Sequence, residues 1–246
     1  HLLEYRGAPD GVPFVVLHGI GTNAVTFSAL LNRLRRHASV IWAPDLPGHG
    51  FSNCPNTLPG PKTLSSDLTT LLVALIHEPV VLVGTSLGGA LALRFALDQP
   101  RLVARLILCS PAGAPMSPDS FDRLRASFQI STNEQGRAFL DRLFHRRPWD
   151  GRMAGGEVRR MLTKPLVRHL VSASKQSDLF TPEEISRVQT PTMLIWGRSE
   201  KVLPRECLDW FRAHLPSSVR IDEPYHYGHS AHLEEPDDLA ARILEF

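Results

Sequence analysis

Ser86 stands between two glycines in Gly84-Thr85-Ser86-Leu87-Gly88-Gly89, and a serine so flanked is placed to act as a nucleophile. The apolar run Pro79-Val80-Val81-Leu82-Val83 leads into it, and a helical pattern, Ala90 to Leu97, leads away. A Gly-x-Ser-x-Gly corner between strand and helix is a nucleophile elbow, whose turn is too tight for side chains at the glycines and lifts the hydroxyl outward. Amides at the helix N-terminus also favour negative charge developing there. A serine hydroxyl still attacks nothing until a base takes its proton and a further group holds that base. Toward the C-terminus, His226, His229 and His232 supply imidazoles, and Glu200 and Asp222 supply carboxylates.

The elements that must position these groups follow a regular rhythm. Phe14 to Leu17 is a continuous apolar run that predicts a strand buried on both faces, ending at His18-Gly19-Ile20-Gly21. A helix is expected from about Phe27 to Arg36, a strand from Ser39 to Ala43, and a helix from Thr63 to Ile76 with leucines at spacings of three and four. After the elbow comes a strand from Leu102 to Cys109. Strands alternating with helices in this way predict an α/β fold, a mostly parallel central sheet with helices on both faces. From about Asp119 to Phe180 only helical patterns occur. The strand rhythm resumes at Thr192–Trp196, followed by a helix at Arg205–His214, a strand at Val219–Ile221 and a terminal helix. The expected division is a core of residues 1–112 and 188–246 with a helical cap, 113–187, inserted into it.

Within the cap, Phe121, Phe128, Phe139 and Phe144 either wall a substrate pocket or pack the cap's own core. Between Phe121 and Leu170 stand Arg123, Arg125, Arg137, Arg142, Arg146, Arg147, Arg152, Arg159, Arg160, Lys164 and Arg168, against Asp122, Glu134, Asp141, Asp150 and Glu157. They read as a solvated helix surface, with a basic rim that attracts anions as the alternative.

Composition narrows the function classes. At 246 residues, 43% hydrophobic, 21% charged and with a formal charge of +2, the chain is an ordinary globule with nothing that calls for nucleic acid. No run approaches the roughly 18–20 apolar residues of a membrane span. Cys54, Cys109 and Cys207 are odd in number and far apart. They predict neither a disulfide framework nor zinc spacing, and a reducing, cytoplasmic setting is the expectation. Cys109 reads as a small core residue. Three histidines at three-residue steps could ligate zinc, but no carboxylate or cysteine cluster accompanies them, and no metal or cofactor is expected. The chain starts at His1 rather than at a methionine, which reads as a trimmed N-terminus or a removed leader.

The motifs His18-Gly19-Ile20-Gly21, Asp45-Leu46-Pro47-Gly48-His49-Gly50-Phe51-Ser52, the elbow, Trp196-Gly197-Arg198, and Gly228-His229 with His232-Leu233-Glu234-Glu235-Pro236 together resemble the α/β-hydrolase superfamily, in its capped, esterase-like branch. The resemblance covers essentially Phe14 to Phe246, although the edge strand usual ahead of His1–Tyr5 is not found. It implies Ser86 as nucleophile and His229 as general base. Similar proteins place an aspartate three residues beyond the glycine of Gly197-Arg198-Ser199-Glu200. Here Glu200 stands in its place and is the expected acid, with Asp222 as the remaining candidate. Some relatives take the acid from the end of the strand before the cap, but Cys109-Ser110-Pro111 carries no carboxylate.

The resemblance further implies an oxyanion hole from the backbone amides of Leu87 and Ile20. His18 and His49 read as loop-fixing side chains. The expected reaction is hydrolysis of a small-molecule carboxylic ester through an acyl-enzyme. Two readings stand beside it: a carbon–carbon bond hydrolase acting on vinylogous diketone ring-cleavage products, and a non-catalytic ligand-binding relative. Relatives of the carbon–carbon type usually carry a tryptophan where Ser230 stands. Epoxide hydrolases and dehalogenases use an aspartate where this chain has Ser86. Oligomeric state is not encoded in any pattern the chain displays.

Overall fold

Alternate residues of the central apolar runs go to opposite faces of one sheet. In the computed structural model, which describes residues 1–146 and 155–246, the first half of the chain forms β1 (Leu2–Arg6), β2 (Val12–Leu17), α1 (Ser28–Leu34), β3 (Ala38–Pro44), α2 (Pro61–Leu75), β4 (Val80–Thr85), α3 (Leu87–Asp98) and β5 (Val103–Cys109). Phe14 and Val16 of β2 meet α1, while Val15 and Leu17 meet the α2 and α3 side. Both faces are therefore dry, which is why β2 and β4 read as unbroken apolar runs.

Among the described residues, β5 is followed by helices α4 (Pro118–Ser127), α5 (Asn133–Leu143), α6 (Gly155–Leu162) and α7 (Pro165–Ala173) and the short turn α8 (Pro182–Ile185). No strand occurs among the described residues between β5 and β6 (Thr192–Ile195). The chain ends with α9 (Arg205–His214), β7 (Arg220–Asp222), α10 (Ala231–Glu234) and α11 (Pro236–Glu245). Thr132 caps α5 with a reciprocal Gln135 box, and Ser117 caps α4 ahead of Pro118. Helices α5 and α6 approach so closely that a Cβ on Gly136 would lie 2.0 Å from the Gly155 carbonyl oxygen. Ile130, Phe139, Leu140, Phe144, Val158 and Leu162 form a separate apolar cluster in this inserted region.

The seven strands lie in the order β1-β3-β2-β4-β5-β6-β7, all parallel except β1, which pairs antiparallel with β3. Strand β1 is a departure from the sequence reading, which placed no strand at Leu2–Arg6. Only Leu3 and Tyr5 point inward, and so short an alternation is a weak signal. The chain runs from β2 outward to β3 and then back across to β4, so the strand order reverses between β2 and β4. Ligands of open α/β sheets bind beyond the carboxyl ends of the strands at such a switch point. Leu17 is in register with Gly84 there, which sets Gly19 and Ile20 beside Ser86.

Candidate active site

Ser86 sits at the step from β4 to α3 with φ +56° and ψ −120°, a conformation that costs a non-glycine residue of order 1–3 kcal/mol. Its neighbours hold it there. Ser86 N donates to the Cys109 carbonyl at 3.1 Å, and its own carbonyl accepts from Ala90 N at 3.1 Å and Ala112 N at 2.9 Å. The flanking glycines are sterically required. A Cβ on Gly84 would lie 2.3 Å from the Gly88 carbonyl oxygen, and one on Gly88 would lie 2.3 Å from that of Leu17. Leu87, the first residue of α3, has an amide with no carbonyl one turn earlier in the helix to bond.

The loop after β2 approaches the serine closely, since a Cβ on Gly19 would be 3.2 Å from Ser86 Cβ. His18 fixes that loop. Its Nε2 accepts from the Leu46 amide at 2.9 Å, so the proton is on Nδ1, which donates to the Gly19 carbonyl at 2.8 Å. Burial, and after it the His49 imidazole, pushes His18 down to about 4, so the ring is neutral. Asp45 ties the next loop: its carboxylate accepts from Ala24 N at 2.8 Å and Phe51 N at 2.9 Å. A Cβ on Gly50, at φ +47°, would lie 2.2 Å from that carboxylate.

His229 and Glu200 are brought together from the loops after β7 and β6. Nδ1 of His229 lies 2.7 Å from Glu200 Oε2, and the Glu200 side chain is only 2% exposed. The other carboxylate oxygen, Oε1, accepts from Val202 N at 2.7 Å and Leu203 N at 3.0 Å. Burial opposes charge on Glu200, but His229, the Leu203 amide and the Ser110 hydroxyl outweigh it and hold the carboxyl below its ordinary value. Ser110, at φ +40° on the end of β5, is a contributor the sequence reading passed over. The signal was present, because Ser110 stands where some relatives carry the acid itself.

Asp222 is elsewhere. Its carboxylate takes two bonds from Arg220, both at 3.0 Å, and one from Arg242 at 3.3 Å. The other two histidines do not converge on a metal. His226 is exposed against the rings of His145 and Tyr225, whereas His232 is buried and stacked 3.9 Å from Phe27. Burial, then the proximity of His229 and His18, pushes His232 down to about 3. No group of three His, Cys, Asp or Glu side chains among the described residues is arranged to hold a metal.

Two apolar clefts flank Ser86. One is shared by Ser86, His229 and Ile20 with Phe128, Phe139 and Leu162 among its walls. The other lies between Leu87, Met116, Phe121, Phe128 and Leu179, again with Ile20 and Ser86 at its base. Phe144 is packed in the apolar cluster of the insertion instead. Of the basic side chains there, Arg125 donates to the Val171 and Ser172 carbonyls, Arg159 to Asn133 and Arg160 to Glu157. Arg147, Asp150 and Arg152 lie outside the described residues. Burial raises both Cys109 and Cys207 to about 12, which leaves them unreactive core thiols.

A mostly parallel sheet whose β4–α3 corner carries a strained serine beside a buried His–Glu pair defines the α/β-hydrolase class. The alpha/beta hydrolase family model matches residues 14–242, and the chain belongs to that family. It is 40% identical to an uncharacterised protein of Mycobacterium tuberculosis over 109 residues, 44% of this chain and 32% of that one. The match thus spans about a third of the length of that first curated relative. A 2-hydroxy-6-oxo-6-phenylhexa-2,4-dienoate hydrolase from a Rhodococcus strain superposes with a TM-score of 0.85 at 21% identity, covering 100% of this chain and 98% of that one. An esterase from Exiguobacterium antarcticum superposes with a TM-score of 0.83 at 20% identity, over 100% and 94% of the two chains. At these identities the structural likeness speaks to the fold. No helix among the described residues is long and apolar enough to cross a membrane.

Proposed function

We propose that the protein hydrolyses uncharged carboxylic esters through a Ser86–His229–Glu200 triad. The observation that carries this reading is the buried 2.7 Å bond between His229 Nδ1 and Glu200 Oε2, in a site whose cleft also holds Ser86. Glu200 accepts a hydrogen bond from the Nδ1–H of His229, which leaves Nε2 as the base. Nε2 accepts the Ser86 proton as Oγ attacks the ester carbonyl, and returns it to the departing alkoxide. The acyl-enzyme is then cleaved by a water that His229 deprotonates. The amides of Leu87 and Ile20 donate to the oxyanion, and the cap, residues 113–187, covers the acyl group.

The walls of both clefts favour apolar groups on either side of the ester. Arg125 is the only lysine or arginine among the described residues lining them, and its guanidinium already serves two carbonyls. A substrate with a free carboxylate, such as a dienoate ring-cleavage product, would find no uncommitted cation among the described residues of these walls. The test is a chain-length series of chromogenic esters run beside a vinylogous diketone acid. Turnover of the esters with kcat/KM rising with chain length supports the reading, and preferential cleavage of the diketone acid refutes it.

A further inference from the structure

The base and the acid ride on separate loops, and neither loop is part of a regular element. They touch directly through Ser199 N, which donates to the Tyr227 carbonyl at 3.0 Å, and through Arg198, whose N and Nε donate to the Pro224 and Glu223 carbonyls at 3.0 and 3.1 Å. A second set of bonds comes from the inserted region, where the end of α5 runs past both loops. On the acid's side, Arg142 donates to the Lys201 carbonyl at 2.8 Å and the Val202 carbonyl at 3.2 Å. These carbonyls belong to the turn whose amides hold Glu200 Oε1. Lys201 Nζ reaches back to the Phe144 carbonyl at 3.5 Å, and the His145 ring bonds Ser199 Oγ at 2.6 Å.

On the base's side, both residues that flank His229 are tied to the same segment. Ser230 N donates to the Leu143 carbonyl at 2.9 Å. Gly228 N donates to Glu234 Oε2 at 2.8 Å, while Oε1 of Glu234 accepts from His145 N at 2.5 Å and Arg146 N at 3.1 Å. One half-buried carboxylate therefore joins the histidine loop to the insertion. The fit leaves no slack. A Cβ on Gly228 would lie 2.6 Å from His145 N and 2.8 Å from Glu234 Oε2.

Resting on the triad reading above, we infer that residues 142–146 are a brace holding His229 and Glu200 in register, with Glu234 and Arg142 as positioning residues. The end of α5 then stays docked through the catalytic cycle, because lifting it would strip bonds from both loops at once. Any opening that admits substrate comes from other parts of the insertion.

The test uses the full chain and the variants Glu234→Gln, Glu234→Ala, Arg142→Gln and Arg142→Lys. One readout is the split of kcat from KM on a chromogenic ester; the other is the downfield Nδ1 proton resonance of His229, which needs no substrate. The brace predicts kcat down by about 10–100-fold with KM changed by less than about three-fold, in line with the cost of misplacing a reacting group by about an ångström. It also predicts a broadened or lost resonance, with partial rescue in Arg142→Lys. Unchanged kcat and an unchanged resonance in Glu234→Gln and Arg142→Gln, accompanied only by a lower Tm, would overturn it. If the wild type turns over no ester, the ester reading fails by itself and the resonance still decides the brace.

Discussion

In the proposed triad, Glu200 does with one extra methylene what an aspartate does in similar chains, and the longer reach is absorbed by the turn behind it. The Val202 and Leu203 amides draw Oε1 back, leaving Oε2 for His229. Glu200→Gln should therefore lower kcat by about 10²–10⁴-fold, because the carboxamide cannot stabilise the imidazolium and can favour the wrong tautomer. Asp222→Asn, removed from the site and engaged with Arg220 and Arg242, should leave kcat within about two-fold. A large loss in Asp222→Asn with little in Glu200→Gln would reverse the assignment. Gly88 makes a steric prediction at the same scale. Since a Cβ would meet the Leu17 carbonyl oxygen at 2.3 Å, Gly88→Ala should cost about 3 kcal/mol or more, read by urea unfolding. The serine and its glycines were legible because they are consecutive, and their packing can be inferred from a turn alone. For Ser110 the motif marked the position but not the role, since its bond to Glu200 joins the ends of two loops far apart in sequence.

Among the elements, the strongly periodic ones were readable and the short ones were not. The α9 helix was legible to its ends, with Cys207, Leu208 and Phe211 on one buried face. Strand β1 and the single turn of α10 carry too few residues for a period to show. The insertion was legible as helical because no strand pattern interrupts it. Which of its side chains face the serine was not legible, since that depends on how α4 and α5 cross. Phe128 lines both clefts and Phe144 neither. Phe128→Ala should thus enlarge the space at Ser86, lowering selectivity along an ester chain-length series while kcat on the shortest ester stays within about three-fold. An unchanged chain-length profile would place the acyl group elsewhere.

At the scale of the whole molecule, the site sits on a core that contains neutral imidazoles. His18 and His232 are pushed down to about 4 and about 3 from an ordinary 6.5, chiefly by burial. Because the folded values lie below the unfolded one, the unfolded chain takes up protons first, and stability present above about pH 6.5 is lost as the pH falls toward those folded values. Between pH 7 and 5 each ring should cost about 2 kcal/mol of unfolding free energy. Glu200 acts in the same direction, since its lowered carboxyl stabilises the fold above its ordinary value and stops doing so as the pH drops through the folded one. Urea unfolding at the two pH values checks this, and His232→Gln should show the shallower fall; an identical slope in wild type and variant would refute it. None of this was legible in the sequence, where His18 and His232 are distinguishable from surface histidines only through their motifs.

Reaction with a fluorophosphonate, read as intact mass and then by peptide mapping, reports whether Ser86 is a nucleophile armed by the His229–Glu200 pair. One phosphonyl adduct is expected, located on Ser86, absent from Ser86→Ala and formed more slowly in Glu200→Gln. A folded wild-type protein that takes up no adduct, or an adduct that persists in Ser86→Ala, would contradict it.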